Sequence, residues 1–473
     1  MHYPLPTHVT VAWKNRDGLE ATAQGERLTK QSVTLTMVKT GETLSASEVL
    51  EGIKILAGTN VIYEGRGVVS AIIEAGGGTY YNLTLQNPKF ELQLPPRNQI
   101  ETLSNAACQQ ILERCGQRER IDGEFRLLVG EVSDLLNMTR AWMDQVECAL
   151  APEQWTDGWV DDFLNTSAPR ITGTFNIKHE RFEDIIEAAT DRGQKTELVQ
   201  LHRDFTQTHW QQFFLGNPFG HRTFFKPLGY AGDYEMMSMI HRNRPEGNGL
   251  FNRLVHWLLL SQWPALSVRN RIAHLRDVIT ETGLKAASRG KRAKILNIGC
   301  GPAWEVQQLV KSTSLVDVMD FTLLDFNEET LAYAGRIVRD LNQQHGRTST
   351  LNTVKMSVYQ LLARSKSPQN LLPGDFDLVY CAGLFDYLSP ETCRHLVGFF
   401  YDILSPGGTV VVANMNDSKP FANFIEYILD WHLIYRSPSQ IRTFAPIRPG
   451  SHSEVIHEPT TANLFLHVRK PDK

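Results

Sequence analysis

The chain has no paired cysteines. Its six (Cys108, Cys115, Cys148, Cys300, Cys381 and Cys393) are scattered without a Cys-x-x-Cys spacing, so neither a zinc site nor a disulfide framework is indicated. They read as small buried apolar residues of a protein kept in a reducing compartment. Also missing is any apolar run long enough to span a bilayer, and Met1-His-Tyr-Pro4 lacks a signal-peptide core. A cytoplasmic location is expected. Charge of one sign is lacking too: 48 Lys and Arg face 52 Asp and Glu, a net charge of −4. That gives no general attraction for nucleic acid or an anionic membrane surface. At 42% hydrophobic and 21% charged residues, the composition is that of a folded chain without long disordered stretches. With 473 residues it is too long for one ordinary core, so two or three domains are expected.

Three regions differ in pattern. Residues 1–97 carry short runs rich in β-branched residues: Val9–Trp13, Val33–Met37, Ile53–Leu56, Gly67–Ile73 and Tyr80–Leu85. Turns such as Glu74-Ala-Gly-Gly-Gly78 separate them, and Pro95-Pro96 closes the region. A small β-barrel is expected, because closure removes exposed strand edges. Residues 98–288 turn to helical period. Leu103, Ala107, Ile111 and Leu112 share one face, as do Phe125, Leu128, Val129, Val132, Leu135 and Leu136. Glu183–Ala189 and Leu198–Phe205 continue the pattern, and these apolar faces read as core. Residues 289–473 alternate strands (near 293–299, 320–325, 351–356, 376–381, 409–415 and 462–468) with helices. This predicts a Rossmann-like α/β sheet, with ligands at the carboxyl ends of its strands. The last strand could return as an antiparallel edge.

The densest chemistry lies in Ile295-Leu-Asn-Ile-Gly-Cys-Gly-Pro-Ala-Trp-Glu305. An apolar strand runs into Gly299-Cys-Gly301 and a helix follows. Such a turn presents backbone N–H groups to a crevice with no Cβ in the way. The next strand, Asp320-Phe-Thr-Leu-Leu-Asp325, ends in an acid placed to bind ribose hydroxyls. A dinucleotide fingerprint requires a third glycine three positions after the second, to pack the helix over pyrophosphate. Trp304 stands there instead, so a nucleoside ligand without pyrophosphate fits better.

Phe376-Asp-Leu-Val-Tyr-Cys-Ala-Gly-Leu-Phe-Asp-Tyr-Leu388 and Leu404-Ser-Pro-Gly-Gly-Thr-Val-Val-Val412, with that glycine turn, resemble motifs of class I S-adenosylmethionine-dependent methyltransferases over about 290–470. The resemblance implies S-adenosyl-L-methionine as cofactor and a small-molecule acceptor as partner. It sets Gly299 and Gly301 against the methionine and ribose portion, Asp325 on the ribose hydroxyls and Phe326 near adenine. Met356 and Ser357 fall at the adenine edge, and Tyr380, Cys381 and Ala382 border the sulfonium and methyl path. Ser357 reads equally well as a helix N-cap. The family usually has an acid two residues before the first glycine, where this chain has Asn297, so another carboxylate is expected to serve the cofactor's ammonium. Asp233 is the candidate, in Gly229-Tyr-Ala-Gly-Asp-Tyr-Glu235; its other reading is a helix cap.

That motif, with Val268-Arg-Asn-Arg271, Gly383–Leu388 and Glu426–Arg436, resembles bacterial methyltransferases assigned to extracellular-factor (3-hydroxypalmitic acid methyl ester) biosynthesis, over about 200–470. The expectation is O-methylation of a fatty-acid-like carboxylate or a hydroxyl, with N-methylation or a non-methyl use of the cofactor as alternatives. Candidate catalytic residues are Tyr230, Asp386, Asn414 and Glu426, and an acceptor site is expected around Asn414, Asn416, Glu426, Trp431, His432, Tyr435 and Arg436. A helical pattern over Phe421–Tyr435 sets Glu426 and Asp430 one turn apart. His221, His432, Glu426 or Asp386 could act as base for a hydroxyl or amine. The first region, with Gly65-Arg-Gly-Val-Val69, resembles a PilZ-type domain. It lacks that family's arginine-rich entry motif, and Thr29-Lys-Gln-Ser-Val-Thr34 stands where its second motif would be. A degenerate module contacting another protein or a second copy, or gating substrate, is expected; the alternative is a cyclic di-GMP receptor whose methyltransferase-like part only senses cofactor.

Overall fold

The computed structural model describes residues 9–14, 20–28, 32–37, 44, 48–57, 60–75, 78–86, 105, 108–109, 112–113, 115–151, 153, 155–191, 196–364, 375–417 and 422–472. Pro95, Pro96, Leu103, Ala107, Ile111 and Phe421 lie outside them. Contacts group the chain into two compact units. One comprises 1–231, 244–259 and 420–432; the other comprises 232–243, 260–419 and 433–473.

The first unit opens with a closed antiparallel barrel of β1 (Val9–Lys14), β2 (Glu20–Leu28), β3 (Ser32–Met37), β4 (Val49–Ala57), β5 (Asn60–Ala75) and β6 (Gly78–Leu85), in the order β1-β2-β3-β6-β5-β4. Val11, Trp13, Val33, Leu35, Ile53, Ile55, Val69 and Leu83 fill it, as strand alternation requires. β2 has no strand-like run in the sequence. Its inward positions offer Ala21, Ala23, Gly25 and Leu28, with no β-branched residue, yet it pairs with both β1 and β3. Closure demands a strand there that local propensity does not announce.

Helices α1 (Gly123–Ala149), α2 (Asp157–Asp191), α3 (Thr196–Phe214), α4 (Pro218–Phe225) and α6 (Gly249–Ser261) complete this unit with α12 (Ala422–Leu429). The face Phe125, Leu128, Val129, Val132 and Leu136 is buried as its period predicted. Leu112 is not; it is 66% exposed. The helix expected through Tyr435 stops at Leu429, because Asp430 adopts a left-handed backbone with φ of 52°. Its carboxylate accepts from Lys226 Nζ at 2.9 Å and pairs with Arg203. Burial opposes ionisation of Asp430, but Lys226 and Arg203 outweigh it and hold its pKa well below the usual range. An ion-paired aspartate, where a glycine would be usual, therefore ends this helix.

In the second unit, β7 (Ala293–Ile298), β8 (Met319–Asp325), β9 (Thr350–Lys355), β10 (Phe376–Cys381), β11 (Leu404–Met415), β12 (His452–His457) and β13 (Asn463–Arg469) form one sheet, ordered β12-β13-β11-β10-β7-β8-β9. Pairing is parallel from β9 to β11, while β13 is antiparallel to both β11 and β12. The return strand is therefore not the edge. The edge is β12, whose sequence His452-Ser-Glu-Val-Ile-His457 has no buried position and gave no apolar signal. Both sheet faces are covered, so the central strands are nearly continuous apolar runs. Leu296, Ile298, Val379 and Val412 pack on one side with Leu396, Val397 and Phe400 of α11 (Pro390–Asp402). Ile295, Phe321, Tyr380 and Val411 pack on the other with residues of α7 (Trp263–Ser288), α8 (Trp304–Ser312) and α9 (Glu328–His345).

Candidate functional site

The strand order reverses direction at β7, which has β8 on one side and β10 on the other. In an open α/β sheet the crevice beyond the carboxyl ends of two such strands is where a ligand can lie between diverging connections. The segments there are Gly299–Ala303 after β7, Asp325 at the end of β8, Met356 and Ser357 after β9, and Ala382–Gly383 after β10.

The turn after β7 depends on its glycines. Gly299 and Gly301 have φ of 64° and 50°, in the left-handed region that favours glycine. Ala303 follows with φ of 50°, a strained conformation for a residue with a Cβ. Gly299 N and Cys300 N donate to Leu324 O, at 2.8 and 3.1 Å, which binds the turn to the end of β8. A Cβ on Gly301 would meet nothing within 4 Å, so the backbone there borders open space.

Asp325 sits beside this turn, 5% exposed. Its Oδ2 accepts from Gly301 N at 3.3 Å and its Oδ1 from Asn327 N at 3.0 Å. Burial raises its pKa to about 6 against the pull of these backbone donors. Two carboxylate oxygens, with about four lone-pair positions between them, retain acceptor capacity for a diol. Asp325 O accepts from Met356 N at 2.9 Å, aligning the end of β9. Ser357 resolves as a cap: its Oγ accepts from Gln360 N at 3.2 Å, and Gln360 Oε1 accepts from Ser357 N at 3.0 Å. Phe326 is half-buried beside Asp325.

Asn297 and Tyr380 are cross-strand partners on β7 and β10. Between them comes a carboxylate to which the sequence pattern assigns no role. Glu305 Oε1 accepts from Asn297 Nδ2 at 2.8 Å and from Tyr380 Oη at 2.6 Å. Glu305 is 4% exposed, and burial raises its pKa. A carboxylate beside Asn297 is thus Glu305, in the first turn of α8. Asp233 Oδ1 accepts from Glu235 N at 3.1 Å and Met236 N at 2.9 Å, capping α5 (Tyr234–Arg242). Sequence alone did not mark Glu305, because the turn through Gly301 and Ala303 sets where the first turn of α8 begins.

Cys381 and Cys300 are buried, and burial pushes both thiols up, so they are neutral packing groups. Asp386 is buried too. Its Oδ1 accepts from Met415 N at 2.6 Å, and burial raises its pKa to about 6, against Met415 N, Arg271 and Arg436.

The residues expected around the acceptor fall in both units. Asn414 is fully buried, with Nδ2 donating to Met415 O and Ile434 O, both at 2.9 Å, and Oδ1 accepting from Arg436. Its amide is thus engaged by the neighbouring backbone and the Arg436 guanidinium. Asn416 Nδ2 likewise donates to Thr461 O at 2.9 Å. Arg436 holds the loop after β10, donating to Phe385 O and Leu388 O. Glu426, Trp431 and His432 belong to the first unit, as does half-buried Tyr230. There His432 lies 3.6 Å from Glu426 and 3.2 Å from Asp430. Burial disfavours its charged form, but those carboxylates outweigh burial and raise its pKa. His221 is exposed.

No protein-family model matches the chain, and no curated protein does. Among solved structures it is similar to a possible exported protein of Bordetella parapertussis, at TM-score 0.38 and 16% identity, over 50% of this chain and 79% of that one. Magnesium protoporphyrin IX methyltransferase of Synechocystis, with bound S-adenosylhomocysteine, is similar at TM-score 0.32 and 10% identity, over 49% and 93%. The N-methyltransferase NodS of Bradyrhizobium japonicum, also with S-adenosylhomocysteine, is similar at TM-score 0.27 and 17% identity, over 42% and 88%. Each likeness is partial.

Proposed function

We propose that the chain is an S-adenosylmethionine-dependent methyltransferase acting on a small molecule, with oxygen of a fatty-acid-like carboxylate or a hydroxyl as acceptor. The observation that carries this reading is the strand-reversal crevice, where an open glycine turn and the buried acid Asp325 are bonded to each other. S-adenosylmethionine, when bound, supplies an already activated methyl group. Gly299 and Gly301 receive the ligand without side-chain obstruction, Asp325 accepts from the ribose hydroxyls, and Phe326 flanks the base. Tyr380 holds Glu305 in place, and the neutral thiol of Cys381 keeps the strand end apolar. An acceptor carboxylate is ionised at neutral pH and needs no base, so the remaining requirements are alignment and exclusion of water. For a hydroxyl acceptor, Asp386 could hold the proton, its pKa having been raised by burial.

Titration calorimetry with S-adenosylmethionine tests the cofactor, and a mass-spectrometric acceptor screen tests the transfer. Asp325→Ala is expected to weaken cofactor binding by about tenfold or more, because charge-assisted hydrogen bonds contribute about 1.5–3 kcal/mol. Unchanged affinity would remove Asp325 from the site.

A further inference from the structure

Two buried arginines of the second unit make opposite arrangements. Arg436, 2% exposed, donates to Phe385 O, Leu388 O and Asn414 and stacks on Phe444 at 5.2 Å. Arg271, 6% exposed, has a buried Nε with no hydrogen-bond partner. Among the described residues it forms no hydrogen bond or ion pair, only longer-range interactions with Asp386, Tyr387, Glu305 and Cys381. Those carboxylates are already engaged, Asp386 by Met415 N and Glu305 by Asn297 and Tyr380. The guanidinium ends beside the loop after β10: a Cβ on Gly383 would stand 3.5 Å from Arg271 Nη2 and 3.8 Å from Nη1. Across the same strand ends, Asn297 Oδ1 is buried with no hydrogen-bond partner.

A buried guanidinium with unmet donors is unfavourable unless an anion completes it. A buried amide oxygen next to a carboxylate calls for a donor, best a cationic one. One ligand group has both charges on a single carbon: an α-amino acid.

We propose that Arg271, with Asn297 and Glu305, forms a zwitterion site that takes the amino-acid end of the cofactor, Arg271 receiving the carboxylate and Asn297 with Glu305 the ammonium. The assignment rests on the cofactor reading and extends it to Arg271 and Glu305. Its physical content is that the nucleoside half and the amino-acid half of the ligand are held by separate groups. Arginine suits the first task because its planar fork meets both oxygens of a carboxylate.

The test is calorimetry on the full chain with two ligands that share the nucleoside and thioether. S-adenosylhomocysteine has the amino acid and 5′-methylthioadenosine lacks it. The wild-type chain is expected to bind the former at least about tenfold tighter. Arg271→Met should abolish most of that difference and leave 5′-methylthioadenosine affinity unchanged, which also shows that the variant is folded. Arg271→Lys should restore part of it, since charge returns without the fork. If Arg271→Met weakens both ligands equally, or neither, the zwitterion site is overturned while the nucleoside site stands. A wild-type chain that binds both ligands equally overturns it as well. Binding of neither ligand overturns the cofactor reading, and this assignment with it.

Discussion

At the scale of single residues, several buried groups are held in states that favour a ligand over stability. Asp325 in the folded chain titrates at about 6, compared with an ordinary 3.8. The folded state binds this proton more tightly than the unfolded chain does. The ionised carboxylate therefore costs stability above about pH 6, and the cost disappears below the unfolded pKa. A shift of about two units corresponds to ~3 kcal/mol. Asp325→Asn is thus expected to raise the melting temperature of the ligand-free protein at pH 7.5 and not at pH 4.5, as scanning calorimetry would show. Cofactor affinity of the natural chain should fall as pH drops from 7 to 5, because the protonated acid loses acceptor strength. Asp430 has the opposite sign. Its lowered pKa contributes stability above the unfolded pKa that is lost as pH falls through the folded one. Asp430→Ala leaves Lys226, 4% exposed, without its counter-charge. A loss of about 3–5 kcal/mol in denaturant unfolding is expected.

At the scale of elements, capping and strand pairing separate what local sequence can announce from what it cannot. Asp233 is a cap, so Asp233→Ala should cost about 1 kcal/mol of stability while Asp233→Asn restores most of it. Equal loss in both variants would point to a role for its charge. The β-rich first region, the helical face of α1 and the α/β alternation were legible because each follows a simple period, 2 or 3.6, over many residues. β2 and β12 were not, since Ala and Gly inside a barrel and His, Ser and Glu on a sheet edge have no such period. The end of α12 was misplaced because Asp430 ends it through ion pairs with Lys226 and Arg203, which are 204 and 227 residues away. Within the site, the glycine turn and Asp325 were visible as a contiguous pattern. Glu305 was in plain view, but its meaning depends on a helix folding back over Asn297 and Tyr380.

At the scale of the whole molecule, cofactor binding and thermal unfolding are linked. A ligand that binds only the folded state contributes about 2.7 kcal/mol at a hundredfold excess over its Kd. Saturating S-adenosylmethionine should therefore raise a melting temperature in the natural chain and do so less in Asp325→Ala. The barrel lacks the arginine-rich entry motif, and we expect cyclic di-GMP to leave every thermal transition unchanged; a shift would restore a receptor role. The sequence by itself determined the three regional patterns, the glycine turn and the acid after the next strand, because each is written in neighbouring residues through period, turn chemistry or propensity. Only the tertiary structure decided the strand order that puts a crevice at β7 and β10, the bonds that Asn414 and Asp233 make, and the burial of Arg271 as a cation in need of an anion. Those depend on which distant groups become neighbours, and burial then sets the electrostatic cost that distinguishes a satisfied residue from one that awaits a ligand.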